Sequence, residues 1–267
     1  WEVERGQCVR VLQGYDACLY DLAWSPDGTQ LASAGADSVV SLWQVKSLGG
    51  GAPRGVLRGH GWSVYGVAWR PDGGVLASSG WDNAIRLWDS ASGSSLQVIG
   101  DRDHLDTLFW GLAWSPDGKQ LASATHGRGV LVWEVGAGAL RWIGPELPTW
   151  IRRVAWSPNG TRLVAGGEDG QVYVWDARGG SLLQRLAGHQ GAVISVAWSP
   201  DGTQMASGGD SQDGGELFVW DARSGERIYT LQRLTGAVYA VAWHPVGKLL
   251  LSGGSDGRLC WWDLPSG

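Results

Sequence analysis

Methionine occurs once, phenylalanine twice and cysteine three times in the 267 residues. Cys8, Cys18 and Cys260 are too few and too scattered for a disulfide framework or a zinc site, which fits a reducing compartment. No apolar run approaches the roughly 18 residues that span a bilayer. The opening Trp1-Glu2-Val3-Glu4-Arg5 carries neither the basic cluster nor the apolar core of a signal peptide, so the chain reads as soluble and cytoplasmic. Blocks of like charge are also missing: 21 basic residues stand against 26 acidic ones, a formal charge of −5. That balance argues against nucleic acid or a membrane surface as the primary partner.

What is abundant is glycine, 43 residues, and tryptophan, 19. Tight turns joining rigid packed strands use both, and a helical bundle uses neither well. The tryptophans are ordered. Ala23-Trp24-Ser25-Pro26-Asp27-Gly28 begins a series in which the Trp recurs as Trp69, Trp114, Trp156, Trp198 and Trp243, at spacings of 45, 45, 42, 42 and 45. A second Trp follows about twenty residues later each time, at positions 43, 88, 133, 175, 220 and 262, with Gln44, Asp89, Glu134, Asp176, Asp221 or Asp263 next.

In the second copy Val64 to Trp69 reads as strand a, and Pro71-Asp72-Gly73 as a hairpin turn. Val75 to Ser78 reads as strand b, Ala84 to Trp88 as strand c, and Leu96 to Ile99 as strand d. Such a unit has apolar residues on both faces and is stable only when neighbours cover them. The repeats run approximately 14–57, 58–100, 101–143, 144–187, 188–232 and 233–267 in a single domain over 1–267. Residues 7–13 resemble a lone strand d, and the sixth repeat lacks its own. Trp1-Glu2 stands where an earlier unit would end, so six units are also compatible with part of a seven-bladed or longer array.

These units resemble the WD-repeat family. The features that carry the likeness are the period, the Trp-Asp ends at Trp88-Asp89, Trp175-Asp176, Trp220-Asp221 and Trp262-Asp263, and the pairs Gly59-His60 and Gly188-His189. The resemblance implies an all-β propeller with six four-stranded blades and a narrow axial channel. The leading strand would pair with the last blade and close the ring, bringing Cys8 beside Cys260.

His60, Ser78 and Asp82 contain the residue types of a nucleophilic triad. The resemblance assigns them instead, with Trp88, to a buried network that ties a blade together. Other repeats keep it in part. The first has Ser33, Asp37 and Trp43 with Tyr15 in the His position, and the sixth has Ser252, Asp256 and Trp262 with Leu234 there. The fifth has His189, Ser207 and Trp220, with its Asp expected in the longer turn Asp210 to Asp213. Gly127 takes the Asp position in the third, while Leu147 and Ala165 replace His and Ser in the fourth, so these two blades are expected to be the least rigid. Asp210 to Asp213 lacks the alternating ligands of a calcium loop, and neither metal nor cofactor is expected.

Four residues before each strand-a Trp the repeats carry Tyr20, Tyr65, Trp110, Arg152, Ile194 and Tyr239. By the resemblance this position lies near the channel mouth. With Trp62, Trp81, Trp150 and Glu168, the residues Tyr20, Tyr65, Trp110, Arg152 and Tyr239 form an aromatic rim of the composition that interface hot spots favour. The expected function is a non-catalytic recognition, scaffold or sensor domain of a larger signalling protein, bacterial in type. Its partner would be a protein or peptide, including an effector domain of the same parent chain. The alternative is a ligand-binding or enzymatic propeller using Arg152, Glu168, His104 and His126 at the mouth.

Overall fold

The computed structural model describes residues 12, 17–45, 52–100, 107–231 and 235–264. They divide into two compact units, 1–100 and 101–267. The first unit holds two antiparallel sheets. One is β1 (Leu19–Trp24), β2 (Gln30–Gly35), β3 (Val39–Gln44) and β4 (Gly55–Arg58); the other is β5 (Val64–Trp69), β6 (Val75–Gly80), β7 (Ile85–Asp89) and β8 (Ser95–Ile99). The second unit holds four. They are β9 (Phe109–Trp114) to β12 (Ala139–Ile143) through β10 (Gln120–Thr125) and β11 (Val130–Glu134), then β13 (Ile151–Trp156) to β16 (Leu182–Ala187) through β14 (Arg162–Gly167) and β15 (Gln171–Asp176). There follow β17 (Val193–Trp198), β18 (Gln204–Ser211), β19 (Gly214–Asp221) and β20 (Arg227–Leu231), and finally β21 (Val238–Trp243), β22 (Leu249–Gly254) and β23 (Leu259–Asp263). The fold is an all-β propeller of six blades; five sheets carry strands a to d in chain order, and the sixth carries a to c among the described residues. The expected closing strand, 7–13, lies outside the described residues except for Leu12, as do Cys8, Tyr15, His104 and Leu234.

Sequence chemistry accounts for the hairpins. In the first blade Ser25 Oγ donates to Asp27 at 2.6 Å and accepts the Gln30 N–H at 2.9 Å, while Gly28 takes a φ of +67° that a side chain would resist. The same Ser-Pro-Asp-Gly chemistry recurs at Ser115 and Ser199, with Asn159 serving the turn after Ser157.

The apolar faces are covered by neighbouring blades within each unit. Val172 and Val174 of β15 pack with Val193 and Val196 of β17, and Val40 and Leu42 of β3 pack with Val64 and Val67 of β5. At about 25 cal/mol per Å² this sandwiching is the main favourable term, and it exists only between blades. Strand-a tryptophans add direction to it. Trp69 Nε1 donates to the Ala23 carbonyl at 3.0 Å, Trp156 to Ala113 at 3.0 Å and Trp198 to Ala155 at 3.2 Å, so the Ala-Trp pair links the second, fourth and fifth blades each to the one before it, whereas Trp243 Nε1 is buried with no acceptor among the described residues. Trp24, on the face of β1 turned away from the second blade, departs from this pattern and is 58% exposed.

A second tie lies inside the blades. Trp88 Nε1 donates to Ser78 Oγ at 2.8 Å, Ser78 Oγ lies 2.7 Å from His60 Nε2, and His60 Nδ1 lies 2.8 Å from Asp82. Indole can only donate, so Ser78 accepts from it and donates to Nε2, leaving Nδ1–H for the carboxylate. Burial raises the Asp82 pKa, but the His60 hydrogen bond, the Gly61 N–H and Arg86 outweigh it and hold the carboxyl below its usual range. Ser78 is fully buried, so the triad-like geometry faces no substrate.

The fifth blade corrects one expectation. His189 and Trp220 both meet Ser207 Oγ at 2.7 Å, but the carboxylate is Glu216, 3.1 Å from His189 Nδ1 and 2.8 Å from the Gln190 N–H, rather than an Asp of the turn. Here β18 and β19 continue to a Ser211–Gly214 pair, which carries Asp210 to Asp213 beyond the histidine and sets Glu216 opposite Gly209. The fourth blade has a different solution: Leu147 and Ala165 are buried, and Tyr173 donates to Asp169 at 2.6 Å. Trp175 Nε1 is buried with no acceptor among the described residues.

Two outcomes are expected in denaturant unfolding. Ser78→Ala strands both Trp88 N–H and His60 Nε2 and should cost about 2–4 kcal/mol. His60→Leu with Ser78→Ala, which approaches the fourth blade's apolar solution, should cost about 1 kcal/mol less than Ser78→Ala alone; a double variant that is worse would refute the network's accounting. Burial, followed by the charge of Arg227, pushes His189 from 6.5 down to about 3. The unfolded chain therefore binds the extra proton, so this contribution is full above pH 6.5 and is lost as pH falls from 6.5 toward 3, at up to about 1.4 kcal/mol per unit. Between pH 6.5 and 4.5, His189→Gln should flatten the stability profile, and an unchanged slope would contradict it.

Candidate functional site

The position four residues before the strand-a Trp has a common backbone cause in all six blades. In five of them strand a pairs with strand b on either side of one skipped residue: Tyr20 between Leu19 and Asp21, Tyr65 between Val64 and Gly66, Arg152 between Ile151 and Arg153, Ile194 between Val193 and Ser195, and Tyr239 between Val238 and Ala240. In the third blade Trp110 and Gly111 together face Ala124, because Leu112 pairs Ser123 and Phe109 pairs Thr125. Each is a β-bulge, which inserts a residue, bends the strand and re-aims the extra side chain. Glycine at the end of strand b makes room for it. A Cβ on Gly35, Gly209 or Gly254 would collide with the carbonyl oxygen of Cys18, Ala192 or Ala237, the residue just before strand a.

In the first unit the bulges bring two rings together. Tyr20 and Tyr65 stack with centroids 4.3 Å apart and planes 10° apart, and Tyr65 stacks in turn on Trp81 at 4.8 Å and 21°. Trp81 comes from the turn between β6 and β7, and its N–H donates to the Ser63 carbonyl at 3.1 Å. Trp62, the residue before Ser63, is 68% exposed and makes no ring contact among the described residues.

The second unit makes a charged cluster from the same positions. The Arg152 guanidinium lies over the Trp110 ring at 5.2 Å and its Nε donates to Glu168 at 2.8 Å. Glu168 N–H donates to the Trp150 carbonyl at 3.0 Å, and the exposed Trp150 ring lies 4.1 Å from that of His126. Tyr239 is exposed and joins neither pair. The structure thus groups Tyr20, Tyr65 and Trp81 in one unit and Trp110, Trp150, Arg152 and Glu168 in the other, leaving Trp62 and Tyr239 apart. Arg152 and Glu168, two of the groups an enzymatic reading would use, are engaged with each other. No cluster of three or more metal-ligating side chains occurs among the described residues.

Trp142, another tryptophan outside the repeat pattern, is structural. Its Nε1 donates to the Ala177 carbonyl at 3.0 Å and its ring lies against Gly180 in the turn after β15. Arg54 and Gln184 make the same strand-d contact, to Ala91 at 3.3 Å and Arg223 at 3.0 Å. Because the donor changes from Arg to Trp to Gln, no residue periodicity announces it.

Repeated antiparallel blades, linked by Trp-to-Ala hydrogen bonds and tied internally through a buried serine, define a β-propeller of the repeat-built kind. The chain belongs to the WD40 family: the description "WD domain, G-beta repeat" matches residues 6–44, 51–89, 93–134, 143–176, 180–221 and 225–263. Segments such as 51–89 start with strand d of one sheet and end with strand c of the next, an offset of one strand from the blades. Over 45 residues the chain is 49% identical to nuclear distribution protein PAC1 of Arthroderma otae. It is 44% identical over 45 residues to the proteins of that name in Arthroderma benhamiae and Trichophyton verrucosum. These matches span 17% of this chain and 10% of the relatives. WD40 propellers generally mediate protein–protein interaction or scaffolding and are typically non-catalytic.

Proposed function

We propose that this chain is a non-catalytic recognition domain that holds a protein or peptide partner through its bulge-aimed side chains, within a larger signalling protein whose effector it senses or restrains. The observation that carries the reading is the coincidence of the six bulges with the positions richest in non-repeat aromatics. A bulge costs ladder hydrogen bonds, and here it turns large rings out of the sandwich, with Tyr20 40% and Tyr239 54% exposed. Rigid aromatics at a surface supply contact area at little entropic cost. Each unit contributes its own cluster, one aromatic and one containing the Arg152–Glu168 pair. A cytoplasmic, bacterial setting is part of the proposal; the free thiols Cys18 and Cys260 fit the reducing compartment it requires.

The test is affinity capture from lysate of the source cells, using the wild-type chain, a Tyr20→Ala/Trp81→Ala variant and a Trp150→Ala/Arg152→Ala variant, each shown to be folded by circular dichroism. A protein retained by wild type and depleted at least tenfold by one variant is the expected result. Equal retention by all three would contradict partner binding at either cluster.

A further inference from the structure

We infer that the free edge of β8 is a self-association edge, at which a second copy of this chain adds its own β8 as an antiparallel neighbour. The inference goes beyond the recognition reading and stands without it. It rests on the chemistry of the strands that end the sheets.

In the five four-stranded sheets strand d comes last, so β4, β8, β12, β16 and β20 each have one edge with no strand against it among the described residues. Such an edge offers a row of N–H and C=O groups that another extended backbone satisfies in series, and proteins blunt it with charge or proline. Four of the five are blunted. Arg58 lies in β4 with Pro53 two residues before the strand, Arg141 in β12, Arg185 in β16 and Arg227 in β20. The fifth, Ser95-Leu96-Gln97-Val98-Ile99, carries neither charge nor proline, and Leu96 is 55% and Val98 49% exposed. Backbone shape does not set it apart: β8, β12, β16 and β20 share one bulge, where Leu96, Arg141, Leu183 and Ile228 are each left unopposed by strand c.

The order of residues in β8 selects a second copy as the occupant. Pairing two copies antiparallel about Gln97 sets Leu96 opposite Val98 of the other copy, and symmetry makes that contact twice. Ser95 then faces Ile99, and Gln97 faces Gln97. Leu96 and Val98 stand two residues apart and so share a face, which joins the four exposed aliphatic side chains into one patch across the two-fold axis. No like charges meet along it. In β12 the same operation would set the central Arg141 against its own copy. Five residues of strand span about 17 Å, and a contact of that length falls below the roughly 1,200–2,000 Å² of stable interfaces. The dimer is therefore transient, and it doubles every surface the chain presents as concentration rises.

Sedimentation equilibrium of the full chain from about 10 μM to about 1 mM, the range in which a small interface associates, tests this. The weight-average mass should climb toward that of two chains. Val98→Lys places a charge on the edge and should weaken association at least tenfold, whereas Leu183→Lys, at the comparably exposed bulge residue of β16, should leave it unchanged. Leu96→Glu alone should weaken association as Val98→Lys does. An equimolar mixture of Val98→Lys and Leu96→Glu chains, each shown to be folded by circular dichroism, should recover it, because the register sets the two new charges opposite each other. A wild-type chain that stays monomeric at about 1 mM, association that Val98→Lys leaves unchanged, or a mixture that recovers nothing would each overturn the inference. If the chain alone is monomeric while Val98→Lys depletes a protein captured from lysate, the edge takes another protein's strand and the second-copy assignment is wrong.

Discussion

One backbone irregularity, repeated six times, separates what holds this protein together from what it presents. Strand a has one residue more than strand b opposes, and the surplus residue is pushed out of the ladder as a bulge. The residues on either side remain in register and bury themselves between blades: Val64 and Val67 flank Tyr65, and Val193 and Val196 flank Ile194. Packing therefore constrains the flanking positions tightly and the bulge position weakly. Tyr, Trp, Arg and Ile can all occupy it, which is the freedom that a recognition residue needs.

The internal ties follow a similar division between a fixed requirement and variable means. A buried hydroxyl accepts from the strand-c indole in five blades, where Ser33, Ser78, Ser123, Ser207 and Ser252 do so at 2.7–3.1 Å, while Trp175 of the fourth has no acceptor among the described residues. The carboxylate beyond it varies in source. Asp82 and Glu216 hold a histidine, Asp169 holds Tyr173, and Asp256 accepts from Thr235 at 2.9 Å where the expected histidine position is Leu234. An unsatisfied buried polar group costs more than a made hydrogen bond gains, so a blade that loses one partner tends to replace or remove the others together. The fourth blade shows the removal, with Leu147 and Ala165 lying where a polar pair lies in the second.

The period of the tryptophans and the turn glycines made the blades legible, because an Ala-Trp end and a Pro-x-Gly turn each have one physical use in a short antiparallel sheet. In the second blade β5 has the bounds read from sequence, and β6 to β8 differ by one or two residues. Chemistry that depends on register was harder to read. Counting along the chain places the fifth blade's acid in the Asp210–Asp213 turn, whereas pairing across the hairpin delivers Glu216, whose extra methylene lets it reach His189. Trp142 lies outside the tryptophan repeat, yet its hydrogen bond to Ala177 belongs to an inter-blade contact made elsewhere by Arg54 and Gln184. The grouping of the rim residues into a stack and an ion-paired cluster depends on side-chain directions that no spacing encodes.

The central claim is that bulge residues are spare to the fold. Its most direct test is the unfolding free energy of Tyr20→Ala, Tyr65→Ala and Tyr239→Ala in denaturant, measured beside Val64→Ala and Val196→Ala at flanking positions. The account predicts losses within about 1 kcal/mol for the bulge variants and roughly 2 kcal/mol or more for the flanking ones. Bulge variants that lose as much as the valines would show that these rings serve packing and would contradict the division on which the functional reading depends.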